Sequence, residues 1–267
     1  MKKILQWVFV ATLIICGASL FTSCNKDNVT DIKEKIIGKW MSIEIDDRTV
    51  LTDNKSIYTF VSPTEGHMII SALSRQSENV AWNEQVDMNV SIKGKKMTLT
   101  YYLGESTKVV EVFQFTEIND NRFKANHKIT VTENGKETLS NEGEIIFKKV
   151  TEDFSQKILG TWECLGITGD QTHNDDNARL KFLPDGSYKY YRKNSANEWE
   201  LITYREISEY FVEGNLLATR WKEPDKPMEY EYWEIESIDN DQMKWSGLRQ
   251  LYDGARFRQS VKWQKVE

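Results

Sequence analysis

Catalysis needs a nucleophile beside a base, a pair of carboxylates held at working distance, or a metal with an open position. The three histidines, His67, His127 and His173, show neither the HxH nor the HxxxH spacing that turns two imidazoles toward one metal. No GxSxG, Walker loop, GxGxxG or CxxC occurs in the chain. Carboxylates are plentiful, but in runs such as Glu229-Tyr230-Glu231 charge alternates with apolar, which reads as the outer face of a strand. The segment 169–177 gathers His173 with Asp170, Asp175 and Asp176, oxygens that a divalent cation would accept. Its spacing misses the alternate Asp/Asn and central Gly of an EF-hand, so a solvated rim loop is the better reading. The expectation is a protein with no catalytic residue, no metal and no cofactor, that is, not an enzyme.

The side chains better suited to binding than to reacting are aromatic, and they are unevenly spread. Residues 25–150 hold Trp40, Trp82 and three tyrosines, whereas residues 151–267 hold Trp162, Trp199, Trp221, Trp233, Trp245, Trp263 and eight tyrosines. Such rings are ordinary core residues, or they form a concave wall for a lipid, an aromatic metabolite or a sugar face. Nucleic acid is excluded as a partner, because 35 basic against 41 acidic side chains leave a net charge of −6 and no basic face to neutralise phosphates.

The elements that must position these rings are written twice. KIIGKW, Lys35 to Trp40, returns as KILGTW, Lys157 to Trp162. The correspondence continues with FQFTEINDNRFK (Phe113 to Lys124) over WEIESIDNDQMK (Trp233 to Lys244), and it ends with IIFKKV over VKWQKV. A match of this length implies a duplicated domain. Large apolar residues fall at every second place in Met97-Thr98-Leu99-Thr100-Tyr101 and in Leu217-Ala218-Thr219-Arg220-Trp221, the period of a strand with one buried face. Turn signals such as Asn134-Gly135 and Gly214-Asn215 punctuate the chain at short intervals. Strands are expected near 39–46, 55–62, 66–73, 85–92, 95–103, 107–118, 122–132 and 140–150 of the first copy. The fold class is therefore all-β: two tandem up-and-down eight-stranded barrels, spanning 32–150 and 151–267. An eight-stranded barrel is just wide enough to fill with side chains or to hold one small ligand.

Within a strand, side chains two apart share a face, so Leu217, Thr219 and Trp221 share one face, and Trp233 and Ile235 share one face of the next strand. Met97, Leu99, Tyr101, Phe113 and Phe115 are apolar at the five matching places of the first copy, so both faces are expected to point inward. Leu217, Trp221, Trp233 and Ile235 are the candidate ligand-binding residues. Cys164 is left without a partner for an internal disulfide and is expected as a small buried apolar residue.

Residues 1–23 have the form of a secretory signal, with Lys2 and Lys3 ahead of an uncharged, mostly apolar run over 4–21; a membrane-spanning anchor is the alternative. Phe21-Thr22-Ser23-Cys24 resembles the bacterial lipobox. That resemblance implies cleavage before Cys24, a diacylglycerol on its thiol, residues 24–31 as a tether, and attachment to a membrane by two or three acyl chains. Gly38-x-Trp40 and Gly160-x-Trp162 resemble the lipocalin signature, and the whole arrangement is similar to the lipocalin-like lipoproteins of Bacteroidota. The family resemblance implies that each tryptophan plugs a barrel base under a cation from the last strand, where Lys149 and Lys265 stand. It further implies an outer-membrane, lipid-anchored monomer that binds a small, partly apolar ligand. The competing expectation is a scaffold whose barrels are solid and whose outer faces meet a partner protein or glycan.

Overall fold

The computed structural model of the chain describes residues 32–69, 82–169, 177–251 and 254–266. The signal, Cys24 and the tether lie outside these residues, as do residues 170–176 of the acidic loop.

The first sheet runs β1 (Gly38–Ile45), β2 (Arg48–Thr49), β3 (Ile57–Phe60), β4 (Glu65–Ile69), β5 (Gln85–Lys93), β6 (Lys96–Leu103), β7 (Thr107–Ile118), β8 (Arg122–Glu133) and β9 (Lys136–Val150). Apart from the spur β2, each strand pairs antiparallel with the next in sequence, and β9 returns onto β1 from Lys39↔Val150 to Ile45↔Ile145. The eight strands β1 and β3–β9 thus form a closed barrel. Local chemistry sets the register: Asn134 and Gly135, at φ 50° and 79°, make the two-residue turn between Glu133 and Lys136 whose twist matches the flanking strands. Inward positions alternate strictly along β7, where Val109, Glu111, Phe113 and Phe115 are buried and Lys108, Gln114 and Thr116 are exposed.

The second sheet contains β10 (Gly160–Thr168), β11 (Ala178–Phe182), β12 (Tyr188–Lys193), β13 (Trp199–Leu201), β14 (Ile207–Glu213), β15 (Leu216–Lys222), β16 (Glu229–Asp239), β17 (Gln242–Gln250) and β18 (Arg256–Lys265). Its order is β13-β12-β11-β10-β18-β17-β16-β15-β14, so the terminal strands β13 and β14 do not pair with each other. Among the described residues β14 instead meets the residues just before β12, through the bridge Ser187↔Glu209 and the bond from Tyr210 N to Gly186 O, 2.8 Å. The expected second eight-stranded barrel is therefore a nine-stranded curled sheet with a seam. The extra strand is the short β13, after which the chain leaves the sheet. Ile202 N still donates to Tyr190 O and Glu206 N already donates to Lys222 O, so the residues between them cross the gap.

Each sheet encloses its own apolar cluster, one built around Trp40, Phe113 and Phe123, the other around Trp162, Trp245 and Trp263. The outer faces are not all solvated. Met41 and Ile57 of the first barrel pack with Leu216 of the second. Trp82 lies against Phe211 at 4.8 Å and Tyr230 at 5.9 Å. Polar links reinforce this contact: Lys55 Nζ to Glu234 Oε2 at 2.5 Å, Lys39 Nζ to Glu213 Oε1 at 2.8 Å, and Leu248 N to Thr52 Oγ1 at 2.8 Å. Burial alone would lower the pKa of Lys39, but Glu213 and Asp153 hold it above the ordinary lysine value.

One expectation is reversed here. Glu231 stands on the same face of β16 as the inward Trp233, and Tyr232 packs outward with Phe211 and Ala218. Charge does not mark the outer face of β16, because that face is itself covered, by Trp82 and the first barrel.

Candidate functional site

The two barrel bases have the same construction. Gly38 (φ 121°) and Gly160 (φ 116°) take a backbone conformation that other residues rarely adopt, and a Cβ on Gly38 would stand 2.9 Å from Lys149 Cε. Trp40 and Trp162 follow, both with no exposed surface. Each donates its Nε1–H to a carbonyl four residues back, Ile36 O and Ile158 O, both at 2.6 Å. Those carbonyls belong to the short amphipathic turns that precede the strands, so the indole ties the turn across the barrel end. Lys149 Nζ lies 5.1 Å from the Trp40 ring centre and Lys265 Nζ 5.4 Å from that of Trp162, each lysine directly opposite its tryptophan in the ladder. These are closures, and the space available for recognition lies toward the other ends.

In the first barrel that space is occupied by a polar group that sequence reasoning missed. Glu111, 1 % exposed, accepts from Tyr101 Oη at 2.8 Å and from Tyr58 Oη at 3.1 Å, and its Oε2 lies 2.7 Å from His127 Nε2. His127 stacks on Phe113 at 4.5 Å. A carboxylate this deep is tolerated only with its lone pairs occupied, and three donors converge on it. The arrangement lacks a nucleophile and leaves neither oxygen uncommitted, so it reads as a satisfied polar girdle under the barrel opening. The signal was present in sequence: Glu111 stands two places before Phe113, on the face already expected to point inward.

Burial, then the charge of Glu111, raises the phenol pKa of Tyr58 and Tyr101 well above the ordinary value, and burial raises that of Tyr188, with Tyr210 pushed up to about 12. The unfolded chain releases these protons near pH 10 while the folded protein keeps them. Their contribution to stability is therefore complete below pH ~10 and falls by about 1.4 kcal/mol per tyrosine for each further pH unit. Phenolate absorbance recorded with pH should show Tyr58, Tyr101 and Tyr188 ionising only as the far-ultraviolet β signal collapses, with Tyr210 titrating near pH 12. Smooth titration of every tyrosine near pH 10 with the fold intact would contradict this.

The second barrel divides by depth. Leu217 and Trp233 face each other in register and are buried with Ile235 in one cluster. Trp245 continues the layer, stacked on Trp233 at 5.5 Å and tilted against Trp263 at 4.8 Å. Leu217, Trp233 and Ile235 are thus part of a filled floor. Trp221 stands higher on the same strand face, half-buried, with the Arg205 guanidinium 4.8 Å from its ring centre. The four candidate residues therefore do not form one surface: three make the floor and one the wall above it.

Around Trp221 the lining is cationic. Arg205, from the segment between β13 and β14, also lies 4.6 Å from the Tyr190 ring centre and donates from Nη1 to Tyr188 Oη at 3.3 Å. Arg249 lies 4.5 Å over Trp233 and 3.8 Å from Glu231. It folds back because residue 247 is glycine, where a Cβ would stand 2.9 Å from Arg249 Cζ. By the alignment of the two copies, Gly247 holds the place of His127 and Glu231 that of Glu111. One barrel thus surrounds its glutamate with phenols and an imidazole, and the other sets an arginine beside it. Arg205 gave little sequence signal, since it lies just ahead of β14 and its match in the first copy is Gln85, an uncharged residue.

Among the described residues no group of three or more His, Cys, Asp or Glu side chains could hold a metal ion. His173 and the aspartates of residues 170–176 fall outside them. Cys164 is buried in the second core.

No family model matches the chain, and no curated protein matches it. Among solved structures it is similar to a double mutant of transferrin-binding protein B from Haemophilus parasuis Hp5, at 9 % identity and TM-score 0.24, covering 80 % of this chain and 53 % of that one. The chain therefore spans about half the length of that protein. It is also similar to a protein of unknown function from the DUF3598 family of Nostoc punctiforme PCC 73102, at 12 % identity and TM-score 0.27, covering 89 % and 99 % of the two chains. A third likeness, at 10 % identity and TM-score 0.23 over 88 % and 99 %, is to a protein assigned to the outer membrane of Bacteroides fragilis NCTC 9343. At these scores none of the likenesses bears on what the chain does.

Proposed function

We propose that this chain is a non-enzymatic envelope protein, acylated at Cys24 and held on the outer membrane, that takes a small, partly apolar ligand into the mouth of its second barrel. The observation that carries the reading is the half-buried wall of Trp221 and Tyr190 above a floor sealed by Trp233 and Trp245. Flat rings with polar edges over a dry floor suit an apolar body of limited depth. The non-enzymatic part is supported by Glu111, whose two oxygens are fully engaged in structural hydrogen bonds.

A second reading, a solid scaffold that works through its outer faces, draws on the same filled floor. The two separate in one titration. An uncharged naphthylamine dye added to the purified full chain should bind saturably and alter tryptophan emission, and Trp221→Ala should weaken that response with the β spectrum unchanged. No saturable binding to the parent protein would end the ligand-binding reading in favour of the scaffold. The address is tested separately: Cys24→Ala should accumulate as unprocessed precursor without lipid label, and equal labelling of that variant would refute the anchor.

A further inference from the structure

Of the groups in the second-barrel mouth, Arg205 has the least local explanation. It hangs in the seam of the sheet, where Ile202 still bonds to β12 and Glu206 already bonds to β15. Tyr190 and Trp221 both lie close to the guanidinium, 4.6 and 4.8 Å from its carbon to the ring centres, and a cation over a ring still needs acceptors for its N–H groups. Nη1 reaches Tyr188 Oη. Nε is buried and has no hydrogen-bond acceptor. No ion pair joins Arg205 to a carboxylate among the described residues. A guanidinium offers two parallel N–H bonds along its Nε–Nη2 edge, the geometry that two oxygens of one carboxylate or phosphate fit.

We propose that the second-barrel mouth is an oxyanion site centred on the Nε–Nη2 edge of Arg205, and that its ligand is a small carboxylate with a flat apolar body. The inference rests on the ligand-binding reading above and adds the charge of the ligand to it. Tyr190 and Trp221 hold the guanidinium in place before binding, so little rotamer freedom remains to be lost when the anion docks. The orphaned Nε–H is unfavourable in the ligand-free protein and is satisfied by the incoming oxygen. Arg205 as a whole is only half-buried. Arg249 lies over the floor beneath, with Glu231 3.8 Å away as its counter-charge. The apolar body of the ligand lies on the inner edges of Tyr190 and Trp221, above Trp233. In the first barrel the matching level is filled by Glu111 and its three donors, whereas in the second the matching Glu231 is partly exposed and lies 3.8 Å from Arg249.

The test is calorimetric titration of the full chain, solubilised in neutral detergent, with four probes of one shape: 1-naphthoate, 1-naphthamide, 1-naphthyl phosphate and 1-naphthylmethylamine. Naphthoate is expected to bind at least about tenfold more tightly than the neutral amide, the scale of one charge-assisted pair. The amine should bind most weakly. Tighter binding of the phosphate than of the carboxylate would keep the oxyanion site and overturn the carboxylate assignment. Arg205→Gln should bring naphthoate down to the level of the amide while its thermal unfolding midpoint stays with the parent's. Arg205→Lys, which keeps the charge and loses the fork, should recover only part of the preference. Equal binding of naphthoate and naphthamide by the parent, or an unchanged preference in Arg205→Gln, would overturn the inference and leave the ligand-binding reading standing. Failure of all four probes to bind would overturn both.

Discussion

Trp162→Ala is expected to destabilise the second barrel by about 3–5 kcal/mol, the range for removing a fully buried large aromatic residue from a core. The indole does three things at once: it fills the base, ties the preceding turn through Ile158 O, and lies under Lys265. Trp162→Phe separates them, because it keeps most of the volume and loses the indole N–H. Its cost should be about 1–2 kcal/mol, since a carbonyl left unsatisfied in a buried place costs about that much. The check is a denaturant melt of each variant, read as a shift in midpoint at unchanged slope. A shift below about 1 kcal/mol for the alanine variant would mean that the base is not held by this ring.

Glu111→Ala should be comparably costly to the first barrel, again about 3–5 kcal/mol, the range for breaking a buried pair by deleting one partner. Two phenols and an imidazole would be stranded around the hole. Tyr58→Phe removes a single donor from a carboxylate that keeps two others, and should cost only about 1–2 kcal/mol. The contrast between the variants carries the test. If Glu111→Ala melts with the parent protein, the girdle contributes nothing to stability, and a role for Glu111 in binding or proton transfer becomes the better account.

The first barrel was legible nearly strand by strand because its turns are short and its alternation has one phase. Strands expected near 107–118 and 122–132 are β7, Thr107–Ile118, and β8, Arg122–Glu133. The second was less legible for two physical reasons. A three-residue strand such as β13 is too short to show a period, so the seam it creates could not be anticipated. Where both faces of a strand are covered, charge no longer marks the outer one, and Glu231 of β16 was read outward on that account although Trp233 on the same face was placed inward. The candidate site failed differently. Leu217, Trp233 and Ile235 were placed inward, but periodicity carries no information on depth, and depth is what separates a floor from a wall. Arg205 belongs to no periodic element, and its position follows only from the way two strand ends part.

That parting has a consequence for how these molecules behave at high concentration. A sheet that closes on itself presents no long row of vacant peptide groups, and among the described residues the first barrel offers an open edge at the two-residue spur β2 alone. The second barrel has two margins, β13 and β14, and the bridge Ser187↔Glu209 ties β14 to the start of β12, not to β13. Both are poorly suited to a guest: β13 is three residues long and carries Glu200, while β14 carries Glu209 and ends in Glu213. Strand exchange between two copies would find its open margins at this slit, and those carboxylates stand against it.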